Sequence, residues 1–210
     1  MSFFGHRIEY DGWGTASVPT KSAEELRLDE HLPTIPINGT VVDVGAGVGL
    51  SLAASIHVRR PDLKIISVDP GFSWMGEEEF ASATQEVLGH FEPEQQAMLE
   101  ADKAWQQTRI EGTGEEIPLE DERADLVVSY AATPEYSYDT ELTLEECLRV
   151  LKLGGLALHG PMHDWAFRGW DNAIKETVEQ GRVSSYISRL ETIANAMHTP
   201  VDAYFTLLRK

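Results

Sequence analysis

The stretch VVDVGAGVGL, Val41 to Leu50, decides the fold. An apolar, β-branched run ends in three glycines at alternate positions, Gly45, Gly47 and Gly49. Such a run suits a short, fully buried strand, and the glycines mark a turn whose backbone can come close to a ligand. LSLAASIHVRR then carries a helix pattern that Pro61 stops, and KIISVD reads as a second buried strand. Strand, turn, helix and strand make a βαβ unit with a right-handed crossover. Ligands bind such folds beyond the carboxyl ends of the strands.

The same alternation continues outward. EEEFASATQEVLGHF and PEQQAMLEADKAWQQ read as helices, the latter with Pro93 in its first turn. TRIEG, ADLVVSY and LALHG read as the third, fourth and fifth strands. ELTLEECLRVLKLGG reads as a helix ended by its glycine pair. SAEELRL has Ser22 as helix N-cap with Glu25 three residues on, a capping-box pattern. DNAIKETVEQG reads as a helix, and so does VSSYISRLETIANAMH, where Val183, Tyr186, Ile187, Leu190, Ala194 and Met197 make an apolar stripe. AYFTLLR closes the chain as a strand. The expected fold is α/β: a doubly wound, mostly parallel, Rossmann-like sheet. One domain spans 1–210, with a cofactor-binding core at 40–160 and an aromatic segment at 1–36 as a lid or cap.

Composition narrows the function. Lys plus Arg is 17 and Asp plus Glu is 35, a net charge of −18 over 210 residues. Such a surface repels phosphate backbones, so nucleic acid is not an expected partner. No apolar stretch is long enough to span a bilayer and no signal peptide is visible, so a cytoplasmic protein without membrane contact is expected. The single cysteine, Cys147, falls on an apolar helical face with Leu144, Leu148 and Leu151 and reads as core. No Cys cluster or His pair has zinc spacing, so no metal is expected.

The glycine turn departs from the dinucleotide fingerprint, which has two residues between its second and third glycines where this chain has one. Asp43 sits two residues before Gly45 and would repel a pyrophosphate; it suits an ammonium or sulfonium. Asp69, at the end of the second strand, lies 24 residues past Gly45, near the spacing of roughly 20 at which an acid meets ribose hydroxyls. Each acid also has a plainer reading: Asp43 as a cap on the turn's own amides, Asp69 as a strand-end turn former.

These features together resemble the class I S-adenosylmethionine-dependent methyltransferases, in their small-molecule branch, from about Val41 to Gly160. VVDVGAGVG is similar to that family's first cofactor motif, GTGEEIPLEDERADLVVS to its third-strand loop and fourth strand, and LRVLKLGGLAL to its helix and fifth strand. The resemblance implies S-adenosylmethionine as cofactor. It places Gly45, Ala46, Gly47 and Gly49 under the methionine part, Asp43 at the amino group, Asp69 at the ribose hydroxyls, and Pro70 and Gly71 beside the adenine. Thr113 stands where the family usually has an acid facing the adenine amino group; Glu115 or the backbone of Gly114 are the substitutes. Tyr10, in EYDGWG, matches a family residue that reaches the cofactor from the N-terminus.

For the acceptor side, the ends of strands four and five offer Ser129, Tyr130, His159, His163 and Asp164. His159 is the candidate base, with a hydrogen-bonded histidine closing the sheet edge as the plainer reading. Tyr130 is the second catalytic candidate, with a wall of the methyl pocket as its plainer reading, Ser129 lies beside the cofactor, and His163 with Asp164 reads as a helix-start turn. Trp165, Phe167 and Trp170 suit either a planar acceptor or core packing. Phe3, Phe4, Tyr10 and Trp13 suit either a lid or packing on the sheet. The expected reaction is methyl transfer to the N or O atom of a small molecule; a protein that binds the cofactor without transfer is the alternative. An NAD-dependent dehydrogenase is disfavoured by the glycine spacing and by Asp43.

Overall fold

The structure is a computed structural model, and it describes residues 19–47, 50–194 and 200–210. The seven strands form one sheet in the order β3-β2-β1-β4-β5-β7-β6. They are β1 (Thr40–Val44), β2 (Lys64–Val68), β3 (Arg109–Ile110), β4 (Ala124–Tyr130), β5 (Leu151–Met162), β6 (Ser185–Ala194) and β7 (Pro200–Arg209). The first five are parallel, and β7 runs antiparallel between β5 and β6. The strand order reverses between β1 and β4, so the switch point lies above the glycine turn.

Side chains alternate across the sheet and fill two cores. Val41, Leu126, Val128, Leu156 and Leu158 join one core with α1 (Pro19–Glu25), α2 (Leu28–His31), α3 (Ser51–Arg59), α4 (Glu77–Leu88) and α5 (Pro93–Ala101). Val42, Val44, Val127 and Ala157 face the other, with α6 (Thr140–Val150) and α7 (Asp164–Glu179). Cys147 is fully buried there. Among the described residues no helix is long and apolar enough to cross a membrane.

Three expectations need correction. Within that stretch, SYISRLETIA (Ser185–Ala194) is strand β6, paired along its length with β7. The helical stripe is broken: Ile187 and Leu190 are 61% and 54% exposed, and Met197 lies outside the described residues. Ser, Tyr, Ile and Thr favour a pleated ladder, and ten residues of pairing outweigh the period. Secondly, α6 ends at Val150, before the glycine pair; Leu151 already pairs with Ala124. Gly154, at φ +80°, and Gly155 lie in a bulge that absorbs three extra residues of β5 before Leu156 meets Leu126. Thirdly, α1 begins at Pro19, so Ser22 is a buried interior residue and no N-cap.

Candidate cofactor and acceptor site

The carboxyl ends of β1, β2, β4 and β5 converge on one edge. After β1, Gly45 and Ala46 donate backbone hydrogen bonds to the carbonyl of Val68 at the end of β2, at 2.8 and 3.2 Å. This folds the turn over the neighbouring strand and requires left-handed backbone at Gly45 (φ +73°) and Gly47 (φ +64°). The two glycines differ in surroundings. A Cβ on Gly45 would lie 2.2 Å from the Cβ of Ala132, in the loop after β4, whereas one on Gly47 would meet nothing within 4 Å among the described residues. Gly45 lets two loops touch, and Gly47 borders open space.

Asp69 ties this turn to the next. Its Oδ1 accepts from the amide of Gly71 at 2.7 Å and its Oδ2 from the amide of Gly47 at 2.9 Å. The turn-former reading and the ligand reading are therefore compatible: each oxygen keeps a second lone pair after taking one amide. Burial raises the Asp69 pKa, against the pull of those two amides. Pro70 and Gly71 open a short 3-10 turn, Pro70–Ser73. A cavity of about 150 Å³, lined by Phe72, Met75, Glu77, Phe80 and Arg109, lies beside it. The Arg109 guanidinium stands 3.7 Å over the Phe80 ring.

Asp43 is 1% exposed, and its Oδ2 has no hydrogen-bond partner among the described residues. Burial, reinforced by the charge of Asp69, pushes its pKa up to about 8. An isolated acid in this state favours a ligand that brings positive charge and donors.

The third-strand loop lies further out. Thr113 is exposed and its amide is bonded to the carbonyl of Glu116. Gly114 is buried against Thr133, whose Cγ2 would lie 2.5 Å from an added Cβ. Glu115 accepts from the Tyr138 amide at 2.7 Å, which joins this loop to the one after β4. Gly49 and Tyr10 lie outside the described residues, as do Phe3, Phe4 and Trp13.

On the acceptor side the structure buries most of the expected side chains. His159 is fully buried, edge-on to Trp170 with ring centroids 4.7 Å apart. Alternation along β5 turns it into the α6–α7 core, and burial, opposed by a backbone contact with Thr133, pushes its pKa down to about 4. A side chain sealed in the core touches no acceptor, so His159 is not the base expected of it. Ser129 is also buried, and its Oγ accepts from the amide of Thr133 at 2.9 Å. Tyr130 donates its hydroxyl to Glu25 of α1 at 2.6 Å. Burial and that carboxylate raise its pKa further from the neutral range, so Tyr130 can serve as a wall but not as a base. Trp170 donates its Nε1 proton to Thr206 in the core, Phe167 stacks on Tyr204 with centroids 4.0 Å apart, and Trp165 remains 64% exposed.

One residue at this edge escapes the sequence reading. Glu135, 4% exposed, follows Pro134 in the loop after β4 and contacts His163 at the end of β5. The available signal was its isolation: it is the only charged residue between Asp125 and Asp139. A larger cavity of about 480 Å³ lies away from this edge on the β6–β7 face, where Arg27 and Arg189 are both spent on Glu191.

A mostly parallel sheet carries a glycine turn at its switch point, a buried acid just before that turn and a second acid at the end of β2, the arrangement of a ligand-binding doubly wound α/β fold. A model of the methyltransferase domain family matches residues 42–159, more than half of the chain. The chain belongs to that family, the class I S-adenosylmethionine-dependent methyltransferases, and S-adenosylmethionine is its cofactor. Among curated proteins it is similar to 2-methyl-6-phytyl-1,4-hydroquinone methyltransferase, chloroplastic, of Spinacia oleracea, 33% identical over 129 residues. That match covers 60% of this chain and 30% of the relative, less than a third of its length. Solved structures of similar fold include an S-adenosylmethionine-dependent methyltransferase of Thermotoga maritima (TM-score 0.50, 17% identity, 91% of this chain and 90% of that one). Another comes from Methanosarcina mazei (TM-score 0.54, 12% identity, 85% and 95%).

Proposed function

We propose that the protein moves a methyl group from S-adenosylmethionine to the N or O atom of a small, planar molecule. The observation that carries this reading is Asp43: a buried carboxyl with an unpartnered oxygen directly before the glycine turn. The residues fit the cofactor. Asp43 would hold its ammonium, the remaining lone pairs of Asp69 would take ribose hydroxyls, and the open face of Gly47 leaves room for the methionine part. When bound, the cofactor supplies a methyl on a sulfonium, already a good leaving group. The protein's contribution is then alignment and exclusion of water. Tyr130, held by Glu25, gives a fixed wall above β4.

Support for a planar acceptor comes from the curated relative, whose name gives a hydroquinone as substrate, and from exposed rings at this edge, Tyr138 after β4 and Trp165 after β5. The net charge of −18 counts against a polyanionic acceptor. Calorimetry should show binding of S-adenosylmethionine and S-adenosylhomocysteine and none of NAD, and mass spectrometry should show methylated products from a panel of phenols and aromatic amines. Binding of NAD with no response to either sulfur ligand would defeat the reading.

A further inference from the structure

One row of paired residues crosses the sheet just below the carboxyl ends of its strands. Register pairs Arg109 of β3 with Ser67 of β2, Ser67 with Asp43 of β1, Asp43 with Val128 of β4, and Val128 with Leu158 of β5. Asp43 therefore has an apolar neighbour on one side and a hydroxyl on the other. Ser67 and Asp43 are each 1% exposed, and neither the Ser67 Oγ nor the Asp43 Oδ2 has a hydrogen-bond partner among the described residues. A sealed hydroxyl without a partner costs stability and calls for a purpose. Paired residues of neighbouring strands share a face and stand about 4.8 Å apart. Rotation about one side-chain bond carries the Ser67 oxygen to the carboxyl of Asp43.

We propose that Ser67 is a positioning residue for the cofactor, its hydroxyl donating to the Asp43 carboxylate and holding that carboxylate toward the ligand's ammonium. This rests on the methyl-transfer reading, which takes Asp43 as the ammonium's partner, and extends the site to a second strand. An ionised carboxylate only accepts, and a hydrogen bond to it is stronger than one to a neutral carboxyl. The Ser67 bond therefore gains strength when Asp43 gives up its proton. Burial and Asp69 hold that proton on up to a pKa of about 8, so the hydroxyl aids an ionisation that its surroundings oppose. The other charged groups on this face do not supply that aid. Asp69 acts against it from the end of β2, and the Arg109 guanidinium lies over the Phe80 ring. Glu25 of α1 takes the Tyr130 hydroxyl and pairs with Lys21, and His57 of α3 lies 3.4 Å from Asp102.

The test reads Asp43 without ligand and then with it. In the unliganded protein, carboxyl-carbon NMR should show Asp43 titrating at about 8 in the parent. In Ser67→Ala it should titrate about one pH unit higher, the effect of losing one hydrogen bond to a charged acceptor. Calorimetry with S-adenosylhomocysteine at pH 6.5 should give Ser67→Ala an affinity about tenfold below the parent's. The gap should shrink to about twofold at pH 9, where more of Asp43 is ionised before the ligand arrives. The melting temperature of unliganded Ser67→Ala at pH 6.5 should match or exceed the parent's, because the protonated state loses only an unpaired hydroxyl. An Asp43 titration unmoved by the substitution, or an affinity loss equal at every pH, overturns the proposal and leaves methyl transfer intact. Failure of the underlying reading looks different: the parent itself gives no binding heat with S-adenosylmethionine or S-adenosylhomocysteine at any pH, and the role assigned to Ser67 falls with it.

Discussion

Asp43 couples the cofactor to protons. Its folded pKa, about 8, is raised above the ordinary 3.8, so the unliganded protein holds this carboxyl protonated at neutral pH. An amino acid's ammonium is also charged below about 8. Bringing the two together favours the ionised carboxylate, and binding below that pH must release the Asp43 proton. Affinity for S-adenosylmethionine should therefore fall as pH drops below 8, by up to about tenfold per unit. Calorimetry at pH 6.5 in two buffers of different ionisation enthalpy should report close to one proton released per cofactor; heats that do not depend on the buffer would count against it. At this scale the sequence was only partly legible. Asp43 and Asp69 announce themselves by position, but His159 and His163 differ in burial and in partners. That depends on strand alternation and on Glu135, which no local pattern links to either histidine.

The glycine turn makes a sharper prediction at the level of the element. Gly45→Ala combines left-handed backbone with a clash, its Cβ only 2.2 Å from the Cβ of Ala132. Together these should cost about 3 kcal/mol, or roughly 6–12 °C in melting temperature. Gly47→Ala has the same backbone strain and no clash, so about 1–2 kcal/mol is expected. Its added methyl intrudes on the open space, so affinity for the cofactor should suffer more than stability. Thermal melts and cofactor Kd for both variants, with Ala132→Gly added to Gly45→Ala to relieve the overlap, separate the two roles. If both variants melt alike, the contact with Ala132 is not what Gly45 serves. The bridge from Asp69 to Gly47 and Gly71 also means that removing this acid loosens two turns at once, which its strand-end position did not suggest. Elements with short apolar runs and clear stops, such as β4, were legible to both ends. β6 was not, because its apolar residues fall at helical spacing and only pairing with β7 decides between the two periods.

Over the whole molecule, two buried groups set opposing pH dependences. His159 is held at about 4 when folded against 6.5 otherwise. The unfolded chain takes up that proton first, so stability is lost as pH falls from 6.5 to 4. Asp43 is held at about 8 against 3.8. The folded chain keeps that proton longer, so stability is lost as pH rises from 3.8 to 8. Between pH 4 and 6.5 the two slopes cancel, and between 6.5 and 8 only the Asp43 slope remains. Each unit there is about 1.4 kcal/mol, so the cofactor-free protein should lose about 2 kcal/mol across that window, roughly 4–8 °C of melting temperature. Asp43→Asn should flatten this loss, and His159→Phe should reveal a rise in stability as pH drops below 6.5. Melting curves from pH 4.5 to 8.5 for the three proteins check it; an unchanged slope in Asp43→Asn would assign the loss elsewhere. The sheet order itself was legible as a class, because parallel βαβ units leave few arrangements.

The same order leaves the sheet with two unlike margins. At one end β3 offers only two residues, too short a template for another strand. At the other, β6 offers ten, with Ile187 and Leu190 turned outward. The nearby ion pairs of Arg27 and Arg189 with Glu191 place charge on that margin, a feature that blunts strand addition. Among the described residues the longer open margin is therefore β6, four places along the sheet from β1 and its glycine turn, so a strand added there would leave the cofactor pocket intact.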